Sequence, residues 1–153
     1  MDFGYYAVLK IIHIVTIVVG IGTVSLNGIY GAKAKAAGPN GGVAIGRANY
    51  DVSKVAEYFI YAIPVTGILM VIDHDFWDWD QTWVWLSIAL YVVALGISHA
   101  IQIPSARRMN ELMAAGPPND ETASLEKKLG AGGMTLNLIA LAIIVLMVWK
   151  PGL

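Results

Sequence analysis

The sequence predicts an all-α fold, a four-helix transmembrane bundle running up-down-up-down. Three observations carry the prediction. The 153-residue chain is 57% hydrophobic and only 14% charged, with a mean hydropathy of +0.63. Its apolar residues gather into four runs, about 6–30, 55–72, 83–103 and 134–149. Each suits a helix across a hydrocarbon core ~30 Å thick, with local thinning of the bilayer for the shorter second and fourth. Lys and Arg concentrate in two of the three links, the asymmetry that spanning segments leave in their loops. A single integral membrane domain over 1–153 is the expectation.

The first run carries no fixed charge after Lys10 for about 20 residues, enough to cross a bilayer. It lacks a basic leader and a small-x-small cleavage site, so it reads as a retained span rather than a signal peptide. His13, Thr16, Gly20, Thr23, Asn27 and Gly31 recur at steps of three or four and form one stripe. In lipid, small and polar residues mark the side that meets other helices. His13 and Asn27 are therefore expected to face inward, with Ile, Val and Leu toward lipid.

The second run contains Pro64, which removes a backbone donor and frees the carbonyl of Ile60. Thr66 and Gly67 follow it, and a local kink is expected. The link between the first two runs holds Ala36-Ala37-Gly38-Pro39-Asn40. That between the last two holds Ala114-Ala115-Gly116-Pro117-Pro118-Asn119. Gly ends a helix, Pro cannot continue it, and Asn caps the next. Good helix formers flank both turns, so helices should extend beyond the bilayer and reverse there as two hairpins. The repeated punctuation hints at a tandem repeat of hairpins. The middle link, from Asp73 to Asp80, is short and acidic, and Trp77, Trp79, Trp83 and Trp85 suggest an interfacial belt. By the positive-inside rule the long hairpin arms are cytoplasmic and both termini lie outside.

Several classes drop out. A net charge of −1 with no basic aromatic stripe argues against nucleic acid as a partner. Without Cys there is no disulfide, thiolate metal site or thiol nucleophile. No phosphate loop, nucleophile elbow or zinc-protease motif occurs.

Two constellations remain. At ~1.5 Å rise per residue, His13 lies about 6 Å to the outer side of its helix midpoint and His99 about 9 Å to the inner side of its own. The gap of about 15 Å is too large for one metal ion between them. Toward the inner face, Glu57 and His99 share a depth, with Asn27, Lys54, Gln102, Thr135 and Asn137 at compatible levels. An ionisable residue within a span is a functional hypothesis by default. The pair could share a proton, or accept one from a quinol-like or porphyrinogen-like substrate. The plainer alternative pairs Glu57 with Lys54 and gives His99 a backbone carbonyl. Toward the outer face, His13 with Met70, and His74 beside them, matches the axial ligand types of a b-type haem inside a bundle. The plainer alternative is helix packing. The acidic loop around His74 offers carboxylates to a divalent cation, although its spacing matches no metal motif and solvated acids with Trp anchors are the simpler reading. No metal ligand set is assigned.

The opening Leu9-Lys10-Ile11-Ile12-His13-Ile14, the span DVSKVAEYFIYAIPVTGILM, Trp83-Val84-Trp85-Leu86-Ser87 and Met147-Val148-Trp149-Lys150-Pro151 together resemble a bacterial four-span family. That family is the "predicted integral membrane protein" family classed as a domain of unknown function. More remotely, the first helix is similar to the four-span protoporphyrinogen oxidase and copper-resistance D families. The oxidase resemblance implies haem and places its histidine at His13. Three functional classes follow. One is a haem- or redox-associated protein using His13 as ligand and Glu57 with His99 for protons. Another is a non-catalytic accessory subunit of a larger, respiratory-type membrane complex. The third is a proton, ion or small-molecule transporter using the second span. The bilayer is the expected partner, with other membrane subunits or self-association beside it, in a bacterial inner membrane.

Overall fold

The computed structural model describes residues 4–73 and 79–151. His74, Asp75 and Asp78 of the expected cation loop and Trp77 of the expected belt lie outside the described residues. The helices are α1 (Tyr5–Ser25), α2 (Asn27–Ala36), α3 (Gly38–Ile72), α4 (Thr82–Ile97), a π turn (Ser98–Gln102), α5 (Ile103–Ala115) and α6 (Asp120–Trp149). Taken end to end they make four rods of 32, 32, 34 and 30 residues long and apolar enough to cross a membrane.

The rods form two hairpins. In the first, α1 and α2 pack along α3; in the second, α4 and α5 pack along α6. The hairpins meet where α5 crosses α3, with lighter contact of α6 on α1 and α2. Among the described residues α3 and α4 make no extended backbone approach, and long side chains bridge them instead.

Small residues set the packing. A Cβ built on Gly20 would lie 3.0 Å from the backbone nitrogen of Ile60 and 3.3 Å from the carbonyl carbon of Phe59. The α1–α3 crossing is therefore closed by the absence of a side chain. Thr16, Ala56, Ile63 and Thr66 are buried near it, whereas Ile11, Val18, Val55 and Val65 are exposed on the outer faces. On α6, Leu138, Leu141, Val145 and Val148 are exposed. Such a surface would be costly in water and is ordinary where acyl chains are the solvent.

The two reversals differ. Gly38 adopts φ 69°, the left-handed conformation open to glycine, and α3 restarts at once with Pro at its first turn. The N-cap position of α3 is therefore Ala37, and Asn40, where the sequence put the cap, lies inside the helix. Asn119 does cap α6: its side chain accepts from the Thr122 N–H at 3.0 Å, and the Thr122 hydroxyl oxygen accepts from the Asn119 N–H at 2.9 Å. The arms beyond the spans are tied by exposed ion pairs, Lys35 to Glu126 at 2.8 Å and Arg108 to Glu121 at 2.8 Å. At the opposite end, Trp83 is not an exposed belt residue. It is buried under the Lys150 ammonium, 5.3 Å from the ring centre, and its indole N–H donates to Gln81. Burial lowers the pKa of that ammonium, and Lys10 nearby adds to the effect.

Candidate functional site

Pro64 frees the Ile60 carbonyl, and the structure supplies a donor for it. The Tyr91 hydroxyl of α4 donates to that oxygen at 2.8 Å. In lipid an orphaned carbonyl costs several kcal/mol, on the order of a lost hydrogen bond or more, so the tyrosine both satisfies α3 and fixes α4 beside it.

One turn away lies the inner cluster. Glu57 and Tyr61 stand at i and i+4 on α3, so their side chains share a face. His99 comes from the π turn, where the Ile103 N–H bonds back to the Ser98 carbonyl and Pro104 follows directly. Proline lacks an N–H and crowds the carbonyl four residues back, so the helix widens by one residue before it. Gln102 anchors this turn. Its amide donates to the Leu129 carbonyl at 3.1 Å and occupies the space that a side chain at Gly132 would fill. The GAGG stretch of α6 thus seats the turn that carries His99.

The Tyr61 hydroxyl hydrogen-bonds Glu57 Oε1 and lies 2.7 Å from His99 Nε2. The carboxylate and imidazole themselves are 3.7 Å apart. His99 Nδ1 faces the Leu95 carbonyl at 3.0 Å. A carbonyl only accepts, so Nδ1 carries a hydrogen. The hydroxyl bridges two contacts with one hydrogen, so a second proton must sit on Glu57 or on His99 Nε2. The cluster is then either acid, hydroxyl and neutral imidazole, or carboxylate, hydroxyl and imidazolium. Both forms are neutral overall, which low dielectric favours. Moving the proton from one form to the other needs only a shift along two hydrogen bonds. The His99 side chain is 50% exposed and that of Glu57 31%. The cluster therefore opens onto the flank between α3 and α4.

Glu57 and His99, expected from the sequence at one depth, lie 3.7 Å apart, and Tyr61, which the sequence did not single out, stands between them. The signal was the i, i+4 step from Glu57. The neighbours expected at the same depth are engaged elsewhere. The Ser53 hydroxyl donates to Asn27 at 3.2 Å, Lys54 lies over the Tyr50 ring rather than on Glu57, and the Thr135 hydroxyl donates to the Ala131 carbonyl. Asn137 is exposed on α6.

At the outer site, His13 Nδ1 is 2.8 Å from the Thr66 hydroxyl, and the ring lies against the space above Gly67. Thr66 directs its single hydrogen to the carbonyls of Ala62 and Ile63, at 2.9 and 3.0 Å. It must therefore accept from His13 Nδ1–H, which leaves Nε2 with its lone pair. Met70 lies one turn beyond Thr66 on the same face of α3.

Comparison with known proteins gives the family. The family described as Predicted integral membrane protein (DUF2269) matches residues 7–151. The chain belongs to it. His13, His99, Glu57, Tyr61 and the last three rods lie within the matched stretch, which begins two residues into the first rod. No curated protein and no solved structure matches the chain. The family membership and the four rods agree on a multi-pass integral membrane protein.

Proposed function

We propose that this chain is a proton-handling membrane protein of redox-associated type, with Glu57, Tyr61 and His99 as its working cluster. The observation that supports this most is the Tyr61 hydroxyl standing between the carboxyl and the imidazole. Such a cluster holds one transferable proton without net charge. Loss of that proton leaves two lone pairs facing each other across one contact, which frees Tyr61 to turn. The fitting substrate is a membrane-soluble molecule that gains or loses a proton at a hydroxyl or pyrrole N–H, quinol-like or porphyrinogen-like. It would reach the cluster sideways, through the flank where His99 is half exposed. We place the protein in a bacterial inner membrane, hairpin arms in the cytoplasm and termini outside, because the arms carry most of its Lys and Arg.

The test is pH-difference infrared spectroscopy on the purified chain in lipid. A protonated-carboxyl band should rise together with an imidazole band. Glu57→Gln should abolish the first, and Tyr61→Phe should make the two titrate apart. A carboxyl band that survives Glu57→Gln unchanged would remove the reading.

A second reading rests on Thr66. By accepting from Nδ1–H it holds His13 in the tautomer whose Nε2 can bind a metal, the arrangement that orients histidine ligands in general. His13, with Met70 as second ligand, would hold haem b, which supplies one-electron chemistry when bound. Protein purified from haem-sufficient cells should then show a Soret band that disappears in His13→Ala and shifts in Met70→Leu. A colourless, folded preparation ends this reading and leaves the proton cluster untouched.

A further inference from the structure

Beyond the spans, the arms of α3 and α5 flank a shallow, open groove of about 320 Å³ that is separate from both histidine sites. Arg47 and Tyr50 line it from α3, and Arg107, Asn110, Glu111 and Ala114 from α5. A second lobe shares Arg47 and continues to Gly116 and Pro117 at the hairpin tip. The volume equals roughly ten waters at ~30 Å³ each, room for a phosphodiester headgroup.

Neither cation here is held in a strong ion pair, and Lys33, Lys127 and Lys128 on the arms are likewise unpaired among the described residues. Among the described residues Arg47 has no ion pair. Arg107 pairs only with Glu111, at 3.2 Å and in an exposed position, a contact worth little. Glu111 also lies 3.7 Å from Arg108, so it keeps a cation if Arg107 turns away. Depth is the second argument. Arg107 is four residues past the end of the third span and Tyr50 five before the second, about 6 and about 7.5 Å beyond the hydrocarbon at ~1.5 Å per residue. Headgroups fill the first ~5–7 Å beyond the hydrocarbon on each side. Arg47 stands three residues further out, about 12 Å beyond the hydrocarbon at ~1.5 Å per residue, and meets the headgroup layer only by extending its long side chain back along the groove.

We propose that this groove binds the headgroup of an anionic phospholipid from the adjacent leaflet. Arg107 and the Tyr50 hydroxyl meet the phosphate, and Arg47 meets the outer part of the headgroup. Basic clefts between helices at the charged end of a membrane protein take this class of ligand. Arginine suits it because its planar fork matches phosphate oxygens in pairs. The site does not depend on the reading of the Glu57 cluster.

The test is native mass spectrometry of the full chain in detergent, titrated separately with phosphatidylglycerol, phosphatidylcholine and inorganic phosphate. Phosphatidylglycerol should bind selectively. Arg47→Gln, which breaks no ion pair, should weaken it about fivefold, and Arg47→Gln with Arg107→Gln about twenty-five-fold. Lys33→Gln with Lys127→Gln, the same charge change outside the groove, should leave affinity within about twofold. Equal binding of phosphatidylcholine, or an equal loss in the lysine control, overturns the proposal. Displacement of the lipid by millimolar inorganic phosphate overturns the lipid assignment in favour of a soluble phosphate ligand.

Discussion

Glu57 and His99 stand 3.7 Å apart, too far for a good hydrogen bond, so a proton passing between them goes through Tyr61. This makes the three residues one unit. Glu57→Gln and Tyr61→Phe should therefore not add: the double variant should lose no more of the coupled infrared titration than Tyr61→Phe and Glu57→Gln lose singly. Additive losses would mean that the carboxyl and the hydroxyl act on separate protons. At this scale the sequence was half legible. A carboxylate and an imidazole within spans are conspicuous because oil solvates neither. Tyr61 sits in a run, Tyr58 to Tyr61, that reads as aromatic filler. Its role appears only once the π turn brings His99 across. Likewise Pro64 announced the orphaned Ile60 carbonyl, but nothing local to Tyr91 announced the hydroxyl that satisfies it.

Among the elements, the α1–α3 crossing depends on one glycine. The nearest atoms to a Cβ at Gly20 include the Ile60 backbone, which cannot rotate aside. Gly20→Ala should therefore destabilise the purified protein by about 1–3 kcal/mol, the usual cost of overpacking, read as a lower thermal midpoint in detergent. Gly22→Ala is the matched control, since nothing lies within 4 Å of its position. It should be neutral, or stabilise by up to about 1 kcal/mol through helix propensity. Equal destabilisation by both would mean that backbone flexibility, not close approach, is what Gly20 provides. The stripe containing Gly20 was readable because small and polar residues at helical spacing have one obvious use in lipid. The caps were less so. Gly-Pro-Asn and Gly-Pro-Pro-Asn look alike, yet the left-handed Gly38 turns the chain so tightly that Asn40 is already helical, while the longer second turn leaves Asn119 free to cap.

For the whole molecule, charge and hairpin geometry make one joint claim: both arm tips lie on one side, with the chain ends and the acidic loop on the other. The apolar runs gave the number of rods, and cation placement is the ground for the orientation we propose. How the hairpins dock, through α5 on α3 with tyrosines spanning the looser α3–α4 flank, depends on contacts between residues far apart in the chain and had no local signature. The absence of native Cys makes the topology directly measurable. Single cysteines at Ala37 and Ala115, the reversals of the two hairpins, should resist a membrane-impermeant maleimide in intact spheroplasts and react after lysis. A cysteine at Trp79, which is exposed in the middle link, should react without lysis. Labelling of Ala37 and Trp79 from the same side would contradict four crossings outright. Labelling of all three from the sides opposite to those expected would keep the bundle and invert it. The Arg47–Arg107 groove would then face the outer leaflet, and its anionic lipid would have to come from there.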